Sequence, residues 1–316
     1  MSLSLFFFFG FIVGMSRAKP KQHFFSAPFQ AIILVVAVFG LSIGLWIYHS
    51  QFFIPWVEQP LRVWMLDVGQ GDAFLIEFPT GEQWLIDGGP DNTLLTKLGS
   101  ILPPWDRSIN AMILTHADTD HVTGLVCVLD RYDIGTVYES GVRAHTQPDN
   151  AFVSQLKTDE EFSHKKLQAG EILVIGDVRL TVLWPDELFL REASTSRNNF
   201  SIVIQLDYGQ TSILFTGDTE EELESIFGSR SGDIDVLKIG HHGSLTSTSW
   251  SFLNQVHPEM AFLSLGADND YGHPHPTILQ RLQEQEVQIF RTDQDGDVLL
   301  TSYGGEPIVE SHPLPF

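Results

Sequence analysis

The sequence predicts an α/β fold, with α+β character, in which two mixed β-sheets pack face to face with helices outside, behind one membrane-spanning helix. Three observations carry this expectation. Short apolar strands recur through residues 61–303, many of them paired as hairpins across Gly-containing turns. Helical patterns follow two or three of those strands, as expected when helices cover the outer faces of packed sheets. Ahead of them, residues 29–48 run for twenty positions without a charge.

The chain opens with a short apolar and basic segment, residues 1–28. Its Phe-rich run Leu3–Met15 is short for a span and suits an interfacial segment or half of a hairpin. The stretch 29–48 is long enough as a helix to cross the ~30 Å hydrocarbon layer, and its apolarity on every face argues against a helix at the edge of a soluble core. Trp46, Tyr48 and Trp56 suit the interfacial belt at its exit. Arg17, Lys19 and Lys21 precede it, so this flank is expected to stay cytoplasmic and the body to lie on the far side of an inner or plasma membrane. No small-residue cleavage site follows, which favours an uncleaved single-pass anchor.

After a linker at 49–60, the body 61–316 reads strand by strand. Residues 61–66, 73–78 and 83–89 are expected strands separated by the turns VGQGD and PTGE. Residues 109–116 form an almost continuous apolar strand, as in a sheet covered on both faces, and 121–131 a helix. Residues 141–170 are polar and read as an irregular surface insertion. Hairpins are expected at 171–185, around Gly176-Asp177, and at 200–218, turning at Tyr208-Gly209-Gln210. An acidic helix follows at about 220–227, then a strand 233–242 ending in paired histidines, a strand 260–266, a helix 276–285 and two closing strands.

Composition limits function. The 316 residues carry a net charge of −22, and because residues 1–57 hold three Lys or Arg and no acid, the remainder stands at 15 bases against 40 acids, or −25. Such a body is not a nonspecific nucleic-acid coat, which needs a basic surface to release counterions. A hydrophobic content of 43% with 23 Phe rules out disorder, and one cysteine, Cys127, rules out a disulfide scaffold or a cysteine-rich zinc site.

The chemistry is expected at strand ends. Thr115-His116-Ala117-Asp118-Thr119-Asp120-His121 places four metal-capable side chains within six residues, between an apolar strand and a helix. His116 and Asp118, two apart in extended chain, project the same way, while Asp120 and His121 turn toward a second position. Helix capping accounts for one Asp or Thr here, not for two His and two Asp. Thr216-Gly217-Asp218 and Gly240-His241-His242-Gly243-Ser244 end two further strands. Asp218 offers a carboxylate able to bridge two cations, and His241 or His242 another nitrogen ligand. Lys238 is open to two roles, pairing with a phosphate or forming an internal ion pair.

The order DGG, HxDxDH, TGD, HHGS resembles the metallo-β-lactamase fold superfamily of metal-dependent hydrolases. The finer pattern LDVGQGDAFLIEFPTGEQWLIDGG, ILTHADTDHVTGL, NNFSIVIQLDYGQTSILFTGD, LKIGHHGS and YGHP is similar to the hydrolase domain of ComEC-type DNA-uptake (competence) proteins, over roughly residues 61–303. The resemblance implies a four-layer αββα sandwich with two divalent ions, Zn²⁺ or Mn²⁺. By that pattern His116 and Asp118 hold one ion and Asp120 and His121 the other. Asp218 bridges them, and His242, or else His241, completes the second site. Asp87 orients the ligand loop without coordinating. Asp118 stands where the wider superfamily has a second His, and the His expected before the TGD hairpin is replaced by the Arg197-Asn198-Asn199 region, so the first site is expected to be filled less tightly. Asn198, Asn199 and Ser244 are further supporting candidates around the ligands. Asp120 and His273 are the catalytic candidates, His273 contacting substrate or protonating the leaving oxygen.

The implied activity is phosphodiester hydrolysis by a metal-bridging hydroxide, with DNA among the candidate substrates and the membrane engaged through the N-terminal helix. With at most two spans, the chain is not expected to be a transport pore. Two other readings stay open. One is hydrolysis of a small or lipid-linked envelope phosphodiester, which needs no basic groove; the other is a non-catalytic DNA-uptake or assembly partner with a vestigial metal site. Two bound ions would bring the body to about −21.

Overall fold

A computed structural model of the chain describes residues 32, 34–45, 59–158, 162–191 and 196–312. The chain divides into two compact units, Met1–Val57 and Glu58–Phe316. In the first, residues 34–45 are helical with exposed side chains. Among the described residues no helix is long and apolar enough to cross a membrane. The expected span 29–48 extends beyond the described residues on both sides, and Leu3–Met15, the basic flank and most of the 49–60 linker lie outside them.

The second unit is built on two sheets. The first joins β1 (Leu61–Met65), β2 (Phe74–Glu77), β3 (Gln83–Ile86), β4 (Ser108–Leu114), β5 (Asp133–Glu139) and β6 (Ser163–Lys166). Two later strands, β14 (Asp297–Ser302) and β15 (Ile308–His312), complete it in the order β15-β14-β1-β2-β3-β4-β5-β6. The second sheet uses β7 (Ile172–Ile175), β8 (Val178–Trp184), β9 (Val203–Tyr208), β10 (Thr211–Phe215), β11 (Val236–Lys238), β12 (Met260–Leu263) and β13 (Gln288–Arg291). Its order is β13-β12-β11-β10-β9-β8-β7. The pairs β3–β4, β4–β5, β10–β11 and β11–β12 are parallel, whereas the hairpins β7–β8 and β9–β10 are antiparallel.

Three apolar clusters make the layers. Val63, Phe74 and Ile113 of the first sheet meet Leu180, Ile204 and Phe215 of the second, with Phe74 edge-on to Phe215 at 5.2 Å between ring centres. Outside the first sheet, α1 (Thr93–Ile101), α2 (Thr119–Leu129) and α3 (Gln147–Thr158) bury Leu98, Val122, Leu125 and Phe152 against Leu85 and Met112. Outside the second, α4 (Glu221–Ser231), α5 (Trp250–Val256) and α6 (Pro276–Glu284) bury Phe227, Phe252 and Ile278 against Leu214 and Leu237. β4 is apolar on both sides because Ile113 belongs to the inner cluster and Met112 to the outer one. Each such side chain contributes roughly 1.5–3 kcal/mol of burial, and the result is the expected αββα arrangement.

Several expectations shift. Residues 141–170 are not an irregular insertion, because α3 seals Phe152 into the outer core and β6 extends the first sheet as its edge. β6 reads Ser-His-Lys-Lys and is exposed throughout, as a charged edge strand can be, so its sequence carries no apolar alternation. The acidic helix runs on to Ser231. The strand before the paired histidines stops at Lys238, and Gly240–Gly243 forms a tight turn.

Candidate metal centre

The parallel strands end at one edge of each sheet, and those ends carry the polar residues. β3 runs into Asp87-Gly88-Gly89 and β4, in register with it at Ile86 and Ile113, into Thr115-His116. β10 runs into Thr216-Gly217-Asp218, and β11, in register at Phe215 and Lys238, into Gly240-His241-His242. Two glycines explain how tightly the loops interlock. A Cβ on Gly124 of α2 would fall 1.8 Å from the Gly88 carbonyl oxygen, and one on Gly71 would fall 2.2 Å from the Asp120 carbonyl oxygen. Bare backbone therefore presses on the start of α2 from both sides, which brings Asp87 and Asp72 behind His121.

Asp120, His121, Asp218 and His242 each present one ligand atom, all within 4.8 Å of one another. Asp218 Oδ2 is the hub: it lies 3.2 Å from His121 Nε2, 3.3 Å from His242 Nε2 and 3.9 Å from His116 Nε2. Asp120 Oδ2 lies 3.4 Å from His242 Nε2 and 4.0 Å from His121 Nε2. Among the described residues, the Nε2 atoms of His116 and His242 are buried without a hydrogen-bond partner. Unpartnered imidazole nitrogens converging on carboxylate oxygens are the donor set a divalent cation takes, so the residues fit the implied metal.

The far sides of the rings are fixed. His121 Nδ1 lies 2.8 Å from Asp87 Oδ2, and Asp87 also accepts from the Thr115 amide at 2.8 Å and the Thr115 hydroxyl at 2.6 Å. His242 Nδ1 donates to the Ser264 carbonyl at 2.8 Å, and the Thr115 hydroxyl lies 3.2 Å from His116 Nδ1. Such contacts turn Nε2 toward the centre. His241 and His242 both sit in the left-handed region, at φ 46° and 54°, and this turn sends one ring inward and the other outward.

Electrostatics follow the same plan. Burial opposes charge on His121 and His242, yet Asp218 and Asp87 around the first, and Asp218 and Asp72 around the second, raise both rings well above the ordinary imidazole value. Burial opposes ionisation of Asp218, and His242, His121 and Lys238 nonetheless hold it well below the usual carboxylate range. His116, equally buried and facing His121, is lowered to about 4. The centre thus favours positive charge, and a metal competes with protons for the same nitrogens.

Other predicted residues lie on a rim. Asp118 does not join the cluster, because Arg197 Nε holds its Oδ1 at 2.8 Å and Nη2 its Oδ2 at 3.5 Å. It stands at the N-cap of α2 but its side chain caps no amide. His241 is partly exposed, with Asn198 Nδ2 at 3.3 Å and Thr246 Oγ1 at 3.4 Å. Asn198 also donates to Glu220. Asn199 is buried and structural: its Oδ1 accepts from the Glu220 amide at 2.9 Å and its Nδ2 donates to Glu222. Ser244 Oγ meets Thr246 Oγ1 at 3.1 Å. His273 is half-buried, 5.6 Å from the His241 ring and 5.8 Å from Tyr271, with Nδ1 unpartnered; burial and the imidazoles of His241 and His242 lower it to about 4. Floor and rim enclose a polar cavity of about 170 Å³ that includes Asp118, Asp120, Asp218, His242 and His273.

Two residues take roles that the strand-end motifs leave out. Asp72 is buried beside His121 and His242, but in sequence it is one more Asp after a glycine turn. Lys238 forms the internal ion pair, meeting both Asp72 and Asp218.

The model of the Metallo-beta-lactamase superfamily matches residues 66–266. The chain is 32% identical over 267 residues to ComE operon protein 3 of Bacillus subtilis (strain 168), an alignment covering 78% of this chain and 34% of that protein. It is 32% identical over 243 residues to Recombination protein 2 of Haemophilus influenzae, covering 74% and 28%. It therefore spans about a third of the length of these relatives. Among solved structures, the metallo-beta-lactamase fold protein YhfI from Bacillus subtilis is similar with a TM-score of 0.55 and 14% identity, covering 77% of this chain and all of YhfI, a likeness of fold.

Proposed function

Because the chain belongs to the metallo-β-lactamase superfamily, we propose that its body is a metal-dependent hydrolase of phosphodiester bonds, of the ComEC-like type. The observation that carries this reading is the convergence of Asp120, His121, Asp218 and His242, with unpartnered Nε2 atoms on His116 and His242, at the floor of a polar cavity. Bound there, divalent Zn²⁺ or Mn²⁺ would activate water and stabilise charge on a phosphoryl oxygen. Asp120, His121, Asp218 and His242 would hold it, with His116 completing the set. His273 would hydrogen-bond the substrate from the rim, a neutral imidazole offering one donor and one acceptor. Arg197, whose planar fork suits phosphate, would meet the anionic group at the entrance.

DNA is the polymeric candidate, supported by similarity to a ComE operon protein and a recombination protein. The net charge of −25 on residues 58–316 favours instead a small or lipid-linked diester. We place the domain on the non-cytoplasmic side of an inner or plasma membrane, tethered through 29–48, on the strength of Arg17, Lys19 and Lys21.

The test is metal analysis of the full chain in detergent, with hydrolysis assays on bis(p-nitrophenyl) phosphate and single-stranded DNA in Mn²⁺ or Zn²⁺. Metal-dependent cleavage of both supports the nuclease reading, and cleavage of the small diester alone supports the envelope reading. A chain that takes up metal and cleaves neither is an assembly partner, and the enzymatic proposal fails.

A further inference from the structure

Lys238 is 1% exposed, among the largest side chains sealed inside the domain, and the proposed reaction gives it no role. It ends β11 between Phe215 of β10 and Phe262 of β12, so its ammonium lies beneath the cluster. The ammonium donates to the Gly217 carbonyl at 2.7 Å and to Asp218 Oδ1 at 3.3 Å, and it pairs with the Asp72 carboxylate. An ammonium has three N–H groups, and all three are engaged. None is left for a phosphate in the cavity.

The two oxygens of Asp218 therefore face different partners. Oδ1 meets Lys238, while Oδ2 is the oxygen that faces the imidazoles of His121, His242 and His116, at 3.2, 3.3 and 3.9 Å. We infer that Lys238 is a positioning residue that fixes how Asp218 coordinates: by occupying Oδ1, it leaves Oδ2 as the single oxygen presented to the cation. This rests on the reading of the cluster as a metal centre. Asp72 keeps the arrangement in place, since a buried ammonium needs a compensating charge and Asp218 must share its own with the metal.

The experiment is Mn²⁺ titration of the full chain in detergent, followed by electron paramagnetic resonance, on wild type, Lys238→Met, and the double variant Asp72→Asn/Lys238→Met. Lys238→Met is expected to lower Mn²⁺ affinity by about 10–100-fold, the usual effect of removing a ligand's supporting partner, and to change the bound-Mn²⁺ line shape as Oδ1 becomes free. The double variant no longer leaves the Asp72 charge without its ammonium, so it decides the matter where the single variant folds poorly. If Lys238 positions Asp218, the double variant keeps both defects. Wild-type affinity and line shape in the double variant would show that Lys238 only balances Asp72, and the inference falls. An unchanged Lys238→Met overturns it too. A wild-type chain that binds no Mn²⁺ sinks this inference and the metal reading together, whereas one that binds Mn²⁺ without cleaving a diester sinks the function alone.

Discussion

The floor and the rim of the cavity are built from the same residue types but held in opposite ways. On the floor, His121, His242, Asp218, Asp87 and Lys238 are buried and tied to neighbours on other strands. On the rim, Arg197 pairs with Asp118 and Asn198 meets His241 through partly exposed side chains; the Arg197 side chain is 54% exposed. A buried charge pair is costly to break because the survivor is left without water or partner, whereas an exposed pair is worth ~0–1 kcal/mol. The floor is therefore the more firmly fixed of the two, and the rim the more weakly tied.

The comparison breaks most sharply at Asp218. Asp218→Ala removes the oxygen shared by three imidazoles, and we expect metal binding and hydrolysis to be lost together; retained stoichiometric metal would move the centre elsewhere. Chelation of the wild type should reproduce the loss of activity. Next comes His273→Ala, expected to lower kcat/KM by about 10²-fold with bound metal unchanged. Metal loss in that variant would put His273 on the floor. Smaller still, Arg197→Ala should change thermal stability by less than ~1 kcal/mol and raise KM more than it lowers kcat. A rise in KM confined to polymeric substrates would identify the entrance for the chain.

The smallest effect tests burial away from the cluster. Glu224 is buried and accepts from the Thr248 and Ser249 amides in the loop after the paired histidines. Burial raises its carboxyl above the ordinary glutamate value despite those bonds. A raised folded-state value means the folded chain binds the extra proton, so this stabilisation is full below the unfolded value and is lost as pH rises through the folded one. Glu224→Gln should accordingly gain stability relative to wild type as pH rises from about 4.5, measured as the difference in denaturation midpoints. A pH-independent difference would mean that the carboxyl is wetter than its position implies.

Much of the floor was legible in the sequence because it is written at strand ends. His116, Asp218 and His242 lie just past the ends of apolar strands, and Asp120 and His121 open the helix that follows the first of them; strands in parallel register deliver such residues to one edge. What escaped was whatever depends on partners distant in sequence. Asp72 looks like a turn residue until β1 and β2 bring it under His242. Asp118 shares the spacing of its neighbours, yet Arg197, 79 residues away, draws it outward. β6 carries no apolar signal because its place depends on hydrogen bonds to β5. The paired histidines left two alternatives open because nothing local tells which ring a left-handed turn sends inward.

That turn has a further consequence. Two successive non-glycine residues at positive φ cost on the order of 1–3 kcal/mol each, and the loop is held there by the Ser247 hydroxyl on the Gly240 carbonyl at 2.7 Å and the Ser244 amide on the His241 carbonyl at 2.8 Å. The strain is met when the protein folds and not when a cation arrives. The cost of presenting the His242 ring is therefore carried by the fold, through hydrogen bonds that lie outside the cluster itself.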